Sequence, residues 1–305
     1  MDSKKPNYIF RLLIICVTCL ALLMMLITFA DNRYIPTWTD IGRAIFGDET
    51  KASDEDTVRF IDVGQGDSIL ISSNGYNALI DFGDESDHGS ELLDALRSYK
   101  IERLDCIILS HYDMDHVGGA PKILKALDVE YALLPELSDK EANDFDDFQY
   151  ALENSGAEVS IARVGTLVNI GDFDITVIGH YADESDSNDR SVVLMAKCGG
   201  KKFLLTGDAG ADIENRLMEE GINLDCDVYK AAHHGSRNSN TLDFIKAASP
   251  EYGVISCSSS NQYGHPHTEV LTNLETVGAK IYRTDRSGDM TFKIENGEII
   301  PSTEY

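Results

Sequence analysis

The first pattern along the chain is an apolar run from Leu12 to Ala30 that contains no charged residue. It is about as long as a bilayer-spanning helix requires, roughly 20 residues, and it shows no polar face of the kind a soluble core helix displays. Lys4, Lys5 and Arg11 precede it, while Asp31, Asp40, Asp48 and Glu49 dilute Arg33 and Arg43 after it. The positive-inside tendency then places the N-terminus in the cytoplasm and the remainder of the chain outside. A competing reading is a cleaved secretory signal ending at Thr28-Phe29-Ala30; it exports the same body, secreted rather than tethered. Residues 1–30 are thus expected to be an anchor or signal. Residues 31–57, polar and without sustained periodicity, read as a linker to a domain at 58–305.

From Val58 onward, short β-branched runs alternate with turn residues. Runs at 58–63, 68–72 and 77–81, separated by Gly64-Gln65-Gly66 and Ser73-Asn74-Gly75, predict an antiparallel meander. Leu92, Leu93, Leu96 and Tyr99 recur at helical spacing over 91–99, and the nearly continuous apolar run 104–109 predicts a strand buried on both faces. The second half predicts strands at 164–169, 173–178, 191–196, 202–206, 227–230, 252–256 and 280–283, with helices at 211–220, 241–248 and 269–277. Runs of strands with helices between them point to an α/β fold of two facing sheets covered by helices on both outer faces.

Composition narrows the partners. The 305 residues are 43% apolar, enough for a large core, and the formal net charge is -26. That field repels polyanions, so a phosphate substrate has to be held locally rather than by a basic surface. Acidic runs at 54–56, 144–147 and 183–189 read as solvated loops. Cys106, Cys198, Cys226 and Cys257 stand singly in predicted strands or at their edges, which suits small buried apolar residues better than a disulfide framework or a cysteine zinc site.

Candidate chemistry is concentrated where strands end. Ser110-His111-Tyr112-Asp113-Met114-Asp115-His116-Val117-Gly118-Gly119 follows the most apolar strand, and a helix is expected near Pro121. Two imidazoles and two carboxylates in six positions are first-row metal ligands. Two further strands end the same way: Phe203-Leu204-Leu205-Thr206-Gly207-Asp208 in one carboxylate, and Val228-Tyr229-Lys230-Ala231-Ala232-His233-His234-Gly235-Ser236 in paired histidines. A carboxylate with two oxygens is able to bridge two cations.

These segments resemble the metallo-β-lactamase superfamily and, within it, the hydrolase domain of ComEC-type DNA-internalisation proteins, over about Val58 to Lys293. Phe60-Ile-Asp62-Val-Gly-Gln65-Gly-Asp67-Ser68 resembles that subgroup's opening strand and turn, and Leu79-Ile80-Asp81-Phe82-Gly83 the superfamily's first motif. The resemblance implies a four-layer αββα sandwich, here preceded by one transmembrane helix. It gives Asp81 a supporting role by hydrogen bonding, His111 and Asp113 to a first metal, Asp115, His116 and His233 to a second, and Asp208 as the bridge. Whether His233 or His234 is the ligand stays open. The superfamily's H-x-H-x-D-H has Asp113 at its middle histidine here, and Asn188 is the candidate for a missing third-motif histidine. An oxygen-richer site moves preference from zinc toward manganese, and both remain candidates for two divalent ions. Asn261-Gln262-Tyr263-Gly264-His265-Pro266-His267 resembles the subgroup's late motif. His265, or else His267, is expected to contact substrate or protonate the leaving group, and Ser236 to steady a phosphate oxygen.

The implied activity is a metal-dependent phosphodiesterase or nuclease related to DNA uptake, with Asp115, Asp208 and His265 catalytic. One apolar span cannot form a DNA channel, so the chain would be a stand-alone or accessory hydrolase. An envelope phosphodiesterase of the phosphorylcholine-esterase kind fits an exported acidic enzyme equally, and a non-catalytic metal-binding module is the alternative from another class. The fold alone assigns no substrate.

Overall fold

Strand parity explains the architecture. In β2 (Ile69–Ser73), Ile69 and Ile71 join one apolar cluster while Leu70 joins another; in β3 (Tyr76–Ile80), Ala78 and Ile80 divide from Leu79 in the same way. β4 (Arg103–Ile108) sends Cys106 and Ile108 to the first cluster and Ile107 between them to the second. Side chains alternate across a strand, so sheets apolar at both parities must be covered on both faces. The first cluster lies between two sheets. The second and third lie beneath helices on the outer faces.

This is a computed structural model, which describes residues 55–85, 89–136 and 145–305, within a compact unit spanning Ala52–Tyr305. The remaining elements of the first half are β1 (Asp56–Phe60), α1 (Ser90–Ser98), α2 (Met114–Val117), α3 (Ala120–Ala126), β5 (Asp128–Leu134), α4 (Asp146–Ser155) and β6 (Glu158–Ile161). They are followed by β7 (Leu167–Ile170), β8 (Phe173–Gly179), β9 (Val193–Cys198), β10 (Lys201–Leu205), α5 (Ala211–Glu219), β11 (Val228–Lys230), α6 (Leu242–Ala248) and β12 (Tyr252–Ile255). The chain ends with α7 (Thr268–Thr276), β13 (Lys280–Arg283), α8 (Thr284–Ser287), β14 (Met290–Glu295) and β15 (Glu298–Thr303). One sheet has eight strands in the order β15-β14-β1-β2-β3-β4-β5-β6; the other has seven, β13-β12-β11-β10-β9-β8-β7. The expected two-sheet α/β sandwich is therefore present, and the meander β1-β2-β3 is antiparallel as expected.

Several expectations shift. Asp56 and Thr57 belong to β1 rather than to a linker. Asp146 and Asp147, read as loop, form the first turn of α4, where carboxylates favour the positive end of the helix. The strand expected at 164–169 begins only at Leu167. β5, β6, β14, β15 and α4 are additional. Cys106, Cys198, Cys226 and Cys257 are buried and unpaired. Among the described residues no helix is long and apolar enough to cross a membrane. The apolar run 12–30 and the linker as far as Asp54 lie outside the described residues.

Parity also puts two charges into the space between the sheets. Val228 faces the inter-sheet core and Tyr229 the outer cluster, so Lys230 turns inward. Asp67, two residues before inward-facing Ile69, meets it from the other sheet: Lys230 Nζ lies 2.7 Å from Asp67 Oδ2, with both side chains at most 1% exposed. Lys230 Nζ also donates to the Ala231 carbonyl. Burial, the largest influence, would push the Asp67 carboxyl up, but the Lys230 ammonium together with His234 and His116 outweighs it and holds the group well below the usual range. We predict that Lys230→Met, which strands a buried carboxylate, lowers the unfolding free energy by about 3–5 kcal/mol. Joining it to Asp67→Leu should restore most of that loss in urea denaturation. A double variant no more stable than Lys230→Met would contradict the assignment.

Candidate metal centre

The strand β4 ends at Ile108, and the chain then turns back over the sheet edge. Leu109 N still donates to Leu133 O, after which Ser110 and Asp81 lock together. Asp81 Oδ1 accepts from Ser110 N at 2.7 Å, and Oδ2 accepts from Ser110 Oγ at 2.6 Å and pairs with His116 Nδ1 at 2.8 Å. One buried carboxylate thereby fixes both ends of the 110–116 segment. With Nδ1 so engaged, His116 presents Nε2 outward. Asp113 precedes α2, and His116 N and Val117 N donate to its carbonyl. Asp67 N donates to Asp115 O and Phe82 N to His116 O, tying the loop to β2 and β3. Gly66 sits at φ +130 where any Cβ would overlap the Asp115 carbonyl, so this close approach needs glycine.

The histidine pair follows β11 in a tight turn. His233 and His234 both have left-handed backbone, at φ 51 and φ 53, a conformation costing on the order of 1–3 kcal/mol for each non-glycine residue. Asn240 holds the turn in place. Its Oδ1 accepts from Tyr229 Oη and Ala232 N, and its Nδ2 donates to Ala232 O and Ser236 O. Glu214, buried on α5, accepts from the Asn240 and Thr241 backbone N–H groups in turn.

The two histidines then part. His234 is buried; its Nδ1 faces Ser256 O at 3.1 Å, and its Nε2 lies 3.1 Å from Asp115 Oδ2 and 3.4 Å from Asp208 Oδ2. His233 is 27% exposed in its side chain, with Nε2 3.9 Å from Asp208 Oδ2. On the other side, His116 Nε2 is 3.3 Å from Asp208 Oδ1. The two oxygens of Asp208 thus face different partners, as bridging requires. Asp208 N is held by Ser191 Oγ at 3.1 Å.

One ligand atom each from Asp115, His116, Asp208 and His234 falls within 4.8 Å of all the others. Around Asp115 and Asp208 the individual nitrogen–oxygen separations are 3.1–3.4 Å, the spacing of ligand atoms that each lie about 2.0–2.2 Å from a shared ion. Among the described residues, His111 Nε2, His116 Nε2 and Asp208 Oδ1 are buried and make no hydrogen bond, the last two lying 3.3 Å apart without one between them. Buried polar atoms left unpaired are costly, and cations bound here would satisfy all three. The donor set fits divalent metal. A second group, Asp67, Asp81 and His116, is equally compact, but its carboxylates are engaged by Lys230 and by Ser110 with His116.

His111 and His116 pack with ring centroids 4.2 Å apart, and His111 Nε2 is 3.8 Å from Asp113 Oδ2. Burial would raise the Asp208 and Asp115 carboxyls, but His234 and His116 outweigh it, holding Asp208 well below its ordinary value and Asp115 at about 2. Both remain charged and available to cations. Burial, then the nearby His234, pushes His265 down to about 4.

The other candidates are distributed around this cluster. His265 lies edge-on to His233 at 5.6 Å and its Nδ1 is buried without a partner. His267 precedes α7 and accepts from Arg237 N through Nδ1. Ser236 is buried, its Oγ accepting from Asn238 N, so it serves the turn. Asn188 opens a short 3-10 turn, its N–H donating to Asp186 Oδ1. That loop reaches the centre through Ser191, whose Oγ is also 3.5 Å from His111 Nδ1. Apart from strand parity, which bears only on the Lys230–Asp67 pair, nothing in the local sequence marks Ser110, Ser191, Asn240, Glu214 or that contact as supports of this centre.

The sequence matches the Metallo-beta-lactamase superfamily over residues 61–259. ComE operon protein 3 of Bacillus subtilis (strain 168) is 32% identical over 262 residues, covering 80% of this chain and 34% of that protein. Competence protein ComA of Neisseria gonorrhoeae is 29% identical over 293 residues, covering 94% and 39%. The chain therefore spans about a third of the length of these curated relatives, 34% and 39%. The metallo-beta-lactamase fold protein YhfI from Bacillus subtilis is similar in structure with a TM-score of 0.53 at 15% identity, over 81% of this chain and 100% of that one, a likeness of fold alone. Motifs, sandwich and histidine–aspartate cluster agree with that match: the chain belongs to the metallo-beta-lactamase superfamily, in a form resembling the ComEC-type hydrolase domain.

Proposed function

We propose that this protein is a metal-dependent phosphodiesterase acting on DNA or a nucleotide-like phosphodiester. The observation that carries the reading is the set of three buried, unpartnered ligand atoms, His111 Nε2, His116 Nε2 and Asp208 Oδ1, beside the cluster of Asp115, His116, Asp208 and His234. His111 and Asp113 would hold one divalent ion, zinc or manganese, and Asp115, His116 and His234 a second, with Asp208 between them. His234 replaces His233 in this assignment, because its Nε2 lies among the carboxylates while His233 stands at the rim. Such ions supply Lewis acidity, lowering the pKa of water toward neutrality and offsetting phosphate charge.

The chain's own groups complete the chemistry. Asp115, charged and 30% exposed in its side chain, orients the attacking water by accepting its hydrogen. His265, with a free ring nitrogen beside His233, donates a hydrogen bond to the departing oxygen. Asp81 keeps Nε2 of His116 aimed at the centre. The names of the competence relatives support DNA as the substrate class. The run Leu12–Ala30 is assigned as an anchor or signal that places the catalytic body outside the cytoplasm, consistent with Lys4, Lys5 and Arg11 before it.

Purified protein is expected to carry close to two equivalents of zinc or manganese by elemental analysis, and to cleave a single-stranded oligonucleotide only when metal is present. Failure to retain any metal would remove the proposal, whereas preferential hydrolysis of glycerophosphocholine would redirect it to envelope phosphodiesters. Asp115→Asn and His116→Ala should abolish turnover while far-ultraviolet circular dichroism is preserved. His234→Ala should lose metal where His233→Ala largely retains it; the opposite order would restore His233 as the ligand. Asp81→Asn should weaken metal affinity about 10- to 100-fold, the usual effect of removing a hydrogen-bond partner behind a ligand.

A further inference from the structure

The loop between β12 and α7 exposes an aromatic ring that neither the fold nor the chemistry above uses. Tyr263 is 68% exposed, yet it is not loose: its ring stacks on His265, centroids 5.5 Å apart and planes 23° from parallel. His265 continues the series inward, with His233 at 5.6 Å and His234 at 6.4 Å. A line of rings therefore leads from solvent to the ligand cluster. The loop presenting it is braced. Asn261 Nδ2 donates to Ser258 O and His265 O, and Asn261 Oδ1 accepts from His265 N. Ser258 N donates to Gln65 Oε1, linking the loop to the turn that carries Asp67.

We infer that Tyr263 is a stacking platform for a nucleobase, so that the substrate is a single nucleic-acid strand lying with one base on this ring and a neighbouring phosphate at the centre. The inference rests on the phosphodiesterase reading and deepens it. A chain of net charge -26 cannot gather a polyanion through a basic surface. Stacking attracts through the π-face that every base has, independently of sequence. Bases within a duplex already stack on each other, which favours the single strand. One face of Tyr263 is taken by His265, and its exposure leaves the rest for a ligand.

The test compares full-length protein, Tyr263→Ala and Tyr263→Phe in fluorescence anisotropy. Two labelled probes are used, a single-stranded oligothymidylate and an abasic strand of equal length, both with phosphorothioate linkages so that binding is read apart from cleavage. The unaltered protein should bind the oligothymidylate about 5- to 100-fold more tightly than the abasic strand, the range one stacked base supports. Tyr263→Ala should bring that ratio toward one, and Tyr263→Phe should keep it. Equal binding of the two probes, or a ratio indifferent to Tyr263→Ala, overturns the inference. So does displacement of neither strand by free thymidylate but of both by glycerophosphocholine. Base-dependent binding through Tyr263 without cleavage of an unmodified strand would leave the platform standing and overturn the hydrolase reading. Cleavage without base dependence would overturn the platform alone.

Discussion

Lys230 and Asp67 carry opposite charges into a space between two sheets that water does not reach, and much of the centre is hung from that pair. Asp67 belongs to the turn entering β2, and its backbone N–H holds the Asp115 carbonyl. Lys230 ends β11, four residues before His234. The 2.7 Å contact therefore sets how far the loop bearing Asp115 stands from the turn bearing His234. Two charges removed from water are favourable only when well paired, so the native spacing is the one that satisfies both. Apolar packing between the sheets would tolerate small slides; an ion pair with one fitting geometry does not.

Around that strut the molecule concentrates carboxylates. Asp81, Asp115 and Asp208 converge with His111, His116 and His234, and Asp113 stands at the edge. Of the groups gathered there, Asp208 Oδ1 and the Nε2 atoms of His111 and His116 make no hydrogen bond within the protein. The acidity of the whole chain acts in the same sense. It attracts divalent ions and repels phosphates, so a phosphodiester of the kind proposed would have to be bound by the centre itself and by uncharged contacts at its mouth.

The left-handed turn at His233 and His234 shows how strain is accommodated at the site. Two consecutive non-glycine residues in that region are unfavourable locally, and Asn240, backed by Glu214, supplies four hydrogen bonds that define the turn. The consequence is divergence of adjacent side chains, one into the cluster and one to the rim beside His265.

The order of apolar and polar residues is enough to specify the sandwich and the strand ends at which its candidate ligands gather. Alternation along β2, β3, β4, β9 and β10 requires cover on both faces, and polar ligands directly after three apolar strands must gather at a sheet edge. Weaker elements escaped it. The four-residue edge strand β6, whose Val159 and Ile161 stay exposed, and the terminal hairpin β14–β15 take their form from pairing with neighbours distant in sequence. Long-range packing selects which of His233 and His234 enters the cluster, because strand parity ends where the chain turns left-handed, and Ser256, just past the end of β12, fixes the His234 ring. The same packing brings Asp67 and Lys230 together. Parity aims each inward, but their encounter depends on how two sheets far apart in the chain are stacked, and local sequence carries no record of that distance.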